Sequence, residues 1–304
     1  MNQSEWKPDV CIHHFPCDDG FGSAWCVWKK WGNTIEYVGV NHGDTLPSMK
    51  DRNVLFVDFA LSADKMTELI EEGEAKSIII LDHHKTAEAE LSGFSSRNAL
   101  DYSNAYEEAR IKYDDEKKPF ILSHFDMEKC GARLAWEFCF PGEQPPEFVL
   151  YIEDQDLWNL KYEHVRRFSL AVRSYPYEFE TWNVLSVKVK QLIEEGKIIE
   201  RFYEKKISDI CKLAAYEEMA GHKILVANAP SFMASDVAHE LLNRDQEVPF
   251  TAVWYEANGK RAFSLRSEDH RVDVSEVAKQ FGGGGHRNAA GFRIPATGNL
   301  TGES

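Results

Sequence analysis

Residues 77–90 read "SIIILDHHKTAEAE". Ile78 to Leu81 form a short apolar run rich in β-branched side chains, too short for a buried helix and well suited to a buried strand. The chain emerges from it into Asp82, His83 and His84, three side chains able to bind a metal, and then into a helix-forming stretch. In an open parallel sheet, ligands bind outside the carboxyl ends of the strands. The stretch therefore predicts both a parallel sheet and the edge of that sheet at which to look for a site.

Similar runs lie on the N-terminal side: "DVCIHH" (9–14), "IEYVGV" (35–40) and "NVLFVDF" (53–59). Helical segments separate them, among them 22–32 and 62–73, the latter with Ser62 as N-cap and Gly73 as its stop. Strand–helix alternation of this kind reads as a mostly parallel sheet covered by helices. Residues 101–129 are polar and charged and read as an excursion from the sheet, "CGARLAWEFCF" (130–140) resumes helical spacing, and "EFVLYIEDQDLWNL" (147–160) is an apolar segment ending in acids. A long helical pattern follows, with a break expected near Gly196. Strands are then expected at 222–229, 249–267 and 289–295, the middle one a hairpin turning at Asn258-Gly259, with helices at 235–244 and 273–281. The expected division is a first α/β domain over 1–182, a helical linker over 183–218 and a smaller α/β domain over 219–304.

The 304 residues carry a formal net charge of −15, and 43% are hydrophobic, enough for a sizeable core. An acidic chain argues against a large footprint on long nucleic acid, which is held by many Lys and Arg contacts to phosphate. No stretch has the apolar length of a membrane span, and the opening "MNQSEWKPDVCIHH" lacks a basic start followed by an apolar run, so neither a membrane partner nor a secretory leader is expected. The six cysteines form no C-x-x-C pair, which fits a reducing cytoplasm and neither a disulfide framework nor a zinc ribbon.

A lone Asp after a strand is ordinarily a turn or N-cap residue, and a lone His pair ordinarily solvated surface. Here "HHFPCDDG" (13–20), "VDF" (57–59), "LDHH" (81–84) and "IEDQD" (152–156), far apart in sequence, all deliver such residues to the same expected edge. Carboxylates with imidazoles and no thiolate pair suit Mn²⁺, Mg²⁺ or a similar ion, and two such ions would clamp the oxygens of a phosphoryl transfer. Trp25, Trp28 and Trp31 recur at helical spacing and read as core, as does Trp158.

In combination, "HHFPCDDGFGSA", "VDF", "LDHHKTA" and "IEDQDLW" resemble the four motifs of the DHH phosphoesterases, and "FGGGGHRNAAGF" (281–292), with "FSLRS" (263–267) before it, resembles the DHH-associated C-terminal domain. The resemblance covers nearly the whole chain. It implies two Mn²⁺-type ions, with Asp58 bridging, Asp19 and His83 as further ligands and Asp154 completing the set. It implies that Asp82 orients the imidazoles or lies close to the metals, and that His84 faces the scissile phosphate. The motif I ligand is His14 or His13. His14 is favoured, because "H-x-x-C-x-D-G" pairs it with Cys17, which stands where many members have an acid and is itself a candidate ligand. Gly283, Gly284, Gly285, His286 and Arg266 would bind substrate. The run Gly282–Gly285 would offer successive N–H groups as an anion nest, with His286 and Arg287 adding donors. The active site would lie in the cleft between the two domains.

The implied activity is hydrolysis of very short linear nucleotides, such as pGpG or RNA of two to five residues, to 5′-mononucleotides. Cyclic-dinucleotide phosphodiesterase and 3′-phosphoadenosine 5′-phosphate phosphatase are alternatives, and pyrophosphatase a lesser one. Cys17 in place of an acid also admits a non-catalytic nucleotide-binding module. Oligomeric state is open.

Overall fold

The computed structural model describes residues 6–41, 43–71, 75–96 and 120–296. The chain divides into two compact units between Ile199 and Glu200.

The first unit is built on a six-stranded sheet in the order β2-β1-β3-β4-β6-β5. The strands are β1 (Val10–His14), β2 (Glu36–Val40), β3 (Arg52–Val57), β4 (Ala75–Asp82), β5 (Ser95–Ser96) and β6 (Phe120–Phe125). Every pairing is parallel. Because side chains alternate across a strand, the two faces bury two different sets. Cys11, Leu55, Val57, Ile79, Leu81 and Leu122 pack on one face. Val10, Ile12, Val54, Phe56, Ile78, Ile80 and Ile121 pack on the other. Burial on both faces explains why these strands read as unbroken apolar runs rather than alternating ones.

The first face is covered by α1 (Asp18–Trp31), α4 (Gly131–Cys139), α5 (Glu147–Asp156), α6 (Val165–Val172) and α7 (Phe179–Leu185); the second is covered by α2 (Ala63–Glu71) and α3 (Lys85–Glu90). Trp25 is fully buried in the first layer, and Trp28 and Trp31 pack against it. The chain runs from β1 outward to β2 and then returns to the other side of β1 to form β3. The strand order therefore reverses between β1 and β3, the crevice where open α/β sheets bind ligands.

Two features differ from expectation. Residues 120–125, read as part of an excursion, form β6, paired along its length with β4. Their polar neighbours hid the strand, since Phe120–Phe125 is bounded by charged sequence. Residues 101–119 and the Gly73 stop lie outside the described residues. The apolar segment at 147–160 is carried on α5, with Phe148, Val149 and Ile152 buried against the sheet-facing helices. The long helix, α8 (Val189–Cys211), runs unbroken through Gly196. That glycine answers a packing need: a Cβ there would stand 2.0 Å from the carbonyl oxygen of Arg167.

The second unit has a mixed sheet, β11-β12-β10-β9-β8-β7. Its strands are β7 (Ala215–Met219), β8 (His222–Asn228), β9 (Thr251–Ala257), β10 (Lys260–Arg266), β11 (Gly284–His286) and β12 (Ala289–Pro295). β8 and β9 are parallel and the remaining pairs antiparallel. The helices α9 (Ala234–Arg244) and α10 (Val274–Gln280) contribute to separate apolar layers on its two faces. The β9–β10 hairpin turns at Asn258 and Gly259, both at positive φ (53° and 70°), as an Asn-Gly hairpin turn requires. No described helix is long and apolar enough to cross a membrane.

Alanine normally stabilises a helix interior relative to glycine by about 1 kcal/mol. At Gly196 the close carbonyl reverses the sign. Gly196→Ala is expected to lower stability by about 1–3 kcal/mol, the usual cost of overpacking, read as a fall in the denaturation midpoint. A rise would show that α8 can move away from Arg167.

Candidate metal centre

Register places the site. Val57 pairs with His13 on one side and Leu81 on the other. One step further along, His14, Asp58 and Asp82 therefore stand side by side at the carboxyl ends of β1, β3 and β4. Asp58 turns out of its strand with φ +52°, a conformation L residues rarely adopt, and its N–H donates to Leu81 O at 2.9 Å. Such outliers persist where the surroundings over-determine them, and they cluster at functional sites.

Asp58 is 2% exposed. Its Oδ1 lies 3.2 Å from His83 Nε2. Its Oδ2 lies 3.7 Å from His14 Nδ1, too long for a hydrogen bond. That oxygen has no hydrogen-bond partner. A buried carboxylate oxygen without a partner is costly, and here it points to a ligand of positive charge. Burial alone would raise the Asp58 pKa, but the imidazoles of His14, His83 and His84 hold it down to about 2.

Around Asp58 the donors fall into three overlapping groups: His14, Cys17 and Asp58; Asp58, Asp82, His83 and His84; and Asp19, His83 and Asp156. His83 Nε2 faces Asp58 at 3.2 Å, Asp19 at 3.4 Å and Asp156 at 3.6 Å. Burial works against a charged His83, yet Asp58, Asp19 and Asp156 carry its pKa up to about 9. Burial and the charges of Asp58 and Asp156 push Asp19 well above the usual carboxylate range, and burial raises Asp156 to about 6. These shifts describe too many acids for the available positive charge, the condition a divalent cation relieves. The residues present fit such ions.

Each side chain is held by its neighbours. Asp19, in the first turn of α1, accepts hydrogen bonds from the N–H groups of Gly131 (2.6 Å) and Ala132 (2.8 Å) at the start of α4. Gly20 lets α1 start against β1, since a Cβ would lie 2.2 Å from His14 O. Gly131 does the same for α4, where a Cβ would lie 2.6 Å from Asp58 Cβ and 3.0 Å from Asp19 Oδ2. Asp82 Oδ1 accepts from the N–H of His83 (2.8 Å) and from Nδ1 of His84 (2.7 Å). That bond makes Nδ1 the protonated nitrogen of a neutral His84 and leaves Nε2 for other partners. The side chain of His84 is 48% exposed, the arrangement of a residue that meets a ligand from solvent.

His14 and Cys17 join the cluster with Asp58. His13 does not. It is 4% exposed, lies edge-on to Phe15 and Phe21, and places Nδ1 3.0 Å from His14 O; burial lowers its pKa to about 4. Adjacent residues of a strand point to opposite sides, so only one of the pair can reach Asp58.

Asp154 also departs from expectation. Its carboxylate accepts the N–H groups of Lys161 (2.9 Å) and Tyr162 (2.8 Å), closing the turn after α5. Asp156, two residues on, is the acid beside His83. Because "IEDQD" is helical, the two acids are about 200° apart around α5, and only one can face the sheet. The turn closed by Asp154 carries Trp158 and Leu160 at φ +56° and +51°, and Trp158 is 55% exposed rather than core.

In the second unit, the glycine run is less free than a nest requires. The N–H of Gly282 donates to Lys279 O and that of Gly283 to Ala278 O, the two bonds of a Schellman cap on α10, with Gly282 at φ +74°. Gly284, Gly285 and His286 form β11. Arg287 is committed to Asp269 O, Arg271 O and Asp273. Arg266 and His286 both pair with Ala289, from opposite sides of β12, so their side chains share one face of the sheet. Arg266 spends Nε on Ser235 Oγ (3.2 Å) and Nη1 on Leu265 O (2.9 Å).

Residues 221–302 match the DHHA1 domain family. The oligoribonuclease NrnB of Bacillus subtilis is 30% identical over 309 residues, covering 91% of this chain and 70% of that protein. An uncharacterized protein of Acanthamoeba polyphaga mimivirus is 30% identical over 308 residues, covering 93% of this chain and 67% of that one. Among solved structures, an exopolyphosphatase-related protein from Bacteroides fragilis aligns over 96% of this chain and 89% of its own, with a TM-score of 0.50 and 15% identity, which speaks to fold alone.

Asp156→Asn is expected to weaken Mn²⁺ binding about 10–100-fold with little change in melting temperature. Asp154→Asn is expected to do the converse, costing about 1.5–3 kcal/mol of stability through its lost charged hydrogen bonds. Calorimetric Mn²⁺ titration beside thermal unfolding separates them. Metal loss confined to the Asp154 variant would restore the sequence-based assignment. Gly131→Ala is expected to lose Mn²⁺ affinity through displacement of Asp58 and Asp19.

Proposed function

The chain belongs to the DHH family of phosphoesterases and carries that family's DHHA1 domain, and from this premise we propose that it hydrolyses very short linear nucleotides to 5′-mononucleotides. As a member it is a phosphoesterase acting on phosphodiester bonds. The name of the B. subtilis relative, an oligoribonuclease, supports the substrate class. The observation that carries the proposal is the donor cluster centred on Asp58, whose buried oxygen without a hydrogen-bond partner and whose surrounding donor groups would suit divalent cations.

His14, Cys17 and Asp58 would hold one ion; Asp19, Asp58, His83 and Asp156 would hold the other. Mn²⁺ suits this mixture of oxygen and imidazole donors, with Mg²⁺ or a similar ion as a substitute. When bound, the ions supply Lewis acidity to the phosphoryl oxygens and lower the pKa of water. The protein's own residues do the rest. Asp82 fixes the tautomer of His84, whose Nε2 is directed to the phosphate. His83 must be neutral to act as ligand, so cation binding displaces its proton. Arg266 and His286 contribute donors to the substrate from one face of the second sheet. A short dianion needs only a few cationic contacts, which suits a chain of net charge −15. The six free cysteines fit residence in the cytoplasm.

With Mn²⁺, turnover is expected for pGpG, pApA and RNAs of two to five residues, to be abolished by chelation and restored by Mn²⁺. Equal cleavage of seven-residue RNA would overturn the length limit. Preferred cleavage of cyclic dinucleotides, 3′-phosphoadenosine 5′-phosphate or pyrophosphate would redirect the substrate. Tight binding with no turnover would leave a nucleotide-binding module. Asp58→Ala and His83→Ala are expected to lose metal and activity together. His84→Ala is expected to keep metal and lose about 10²–10³ in kcat, the usual cost of one transition-state donor.

A further inference from the structure

Arg173 follows α6 and is bound to a residue inside motif I. Its Nε donates to Asp18 Oδ2 at 2.5 Å, and the hydroxyl of Tyr177 donates to Asp18 Oδ1 at 2.8 Å. Asp18 lies between Cys17 and Asp19, in the first turn of α1. Both its oxygens are engaged, and the guanidinium is fixed in orientation. Tyr177 is itself wedged edge-on between Phe15 and Phe21, at ring-centroid distances of 5.4 and 5.2 Å. Neither Nη group of Arg173 makes a hydrogen bond among the described residues, and the side chain is 49% exposed.

An exposed Arg–Asp pair standing alone contributes little to stability. This one is buttressed by an aromatic cluster and sits beside two candidate metal donors, Cys17 and Asp19. Burial works against the Arg173 charge, yet Asp18 first, then Tyr177 and Cys17, keep its pKa raised. The candidate metal donors are acids, imidazoles and a thiol. A phosphodiester approaching them needs cationic donors supplied by the protein, and guanidinium matches phosphate oxygens in geometry.

We propose that Arg173 binds the scissile phosphate through its two Nη groups, with Asp18 and Tyr177 as the positioning residues that aim it. The proposal rests on the phosphoesterase reading of the Asp58 cluster and adds a phosphate-binding arginine from the first unit.

The experiment compares wild type with Arg173→Ala, Arg173→Lys and Asp18→Asn. For Arg173→Ala, kcat/KM on pGpG with Mn²⁺ is expected to fall about 10²–10³-fold. Binding of pGpG in Ca²⁺, without turnover, is expected to weaken about 10–100-fold. Mn²⁺ affinity and melting temperature should stay near those of wild type. Arg173→Lys, with charge but no fork, should fall between the two, and added guanidinium ion should restore part of the Arg173→Ala activity. A purely structural arginine would show no such rescue. Arg173→Ala protein within about threefold of wild type in both cleavage and binding, a bound below the single-contact range, overturns the proposal. If wild type neither cleaves nor binds pGpG, the dinucleotide reading fails instead. Inorganic phosphate binding to the Ca²⁺-loaded proteins then decides on Arg173 alone: unchanged affinity in Arg173→Ala overturns it, and weakened affinity supports it.

Discussion

One carboxylate sets the terms for the first unit. Asp58 leaves β3 at the point where the strand order reverses, with its backbone in the left-handed region and its side chain buried. Glycine would relieve the backbone there at no steric cost, so an acid in that conformation argues that the side chain is needed. Its neighbours have given way to it. Gly131 surrenders a Cβ, α4 directs its first N–H groups at Asp19 beside it, β4 supplies the carbonyl that takes the Asp58 N–H, and His83 just beyond β4 supplies the imidazole that meets Oδ1. Sheet register then decides which further residues arrive: His14 and Asp82 lie in the same row across adjacent strand ends.

Much of this was legible in the sequence, because a parallel sheet buried on both faces writes its strands as apolar runs and leaves its ligands just beyond them. Residues 10–14, 52–57 and 75–82 could be found that way, and with them His14, Asp58 and the Asp-His-His triplet. The reading failed where the local pattern had another cause. "IEDQD" sits on a helix, so the choice between Asp154 and Asp156 depended on helical phase, which a strand-end picture does not contain. The acid chosen was the one that ties a turn. Residues 120–125 are flanked by charges and gave no contrast against their surroundings.

Glycine was misread in both directions. At Gly196 it suggested a break, whereas the helix continues and the missing Cβ admits a neighbouring carbonyl. In Gly282–Gly285 it suggested a freely exposed anion nest, whereas two of the N–H groups cap α10 and the next residues pair as a strand. Conversely, Gly131 carried no signal apart from standing near a helix start, and Trp158 looked like core until its positive φ and exposure were visible. Glycine marks close approach, positive φ or chain reversal, and sequence alone does not say which.

The charge of the site explains why its parts belong together. Asp19, Asp58, Asp82 and Asp156 converge on imidazoles; the acids hold His83 up at about 9 against its burial, and burial holds Asp156 up at about 6. A cluster in that condition repels a phosphodiester. On the proposed function it would become a phosphate site only with cations in place and with donors near its rim facing the substrate rather than the acids. His84, turned outward by Asp82, meets the second condition, and so does an arginine whose inner nitrogen is spent on Asp18 while its outer ones stay open. The same acids that assemble the centre thus impose a division of labour on the bases around it. On that reading, those pointing inward would serve as ligands, and those held at one nitrogen and open at the other would serve the substrate.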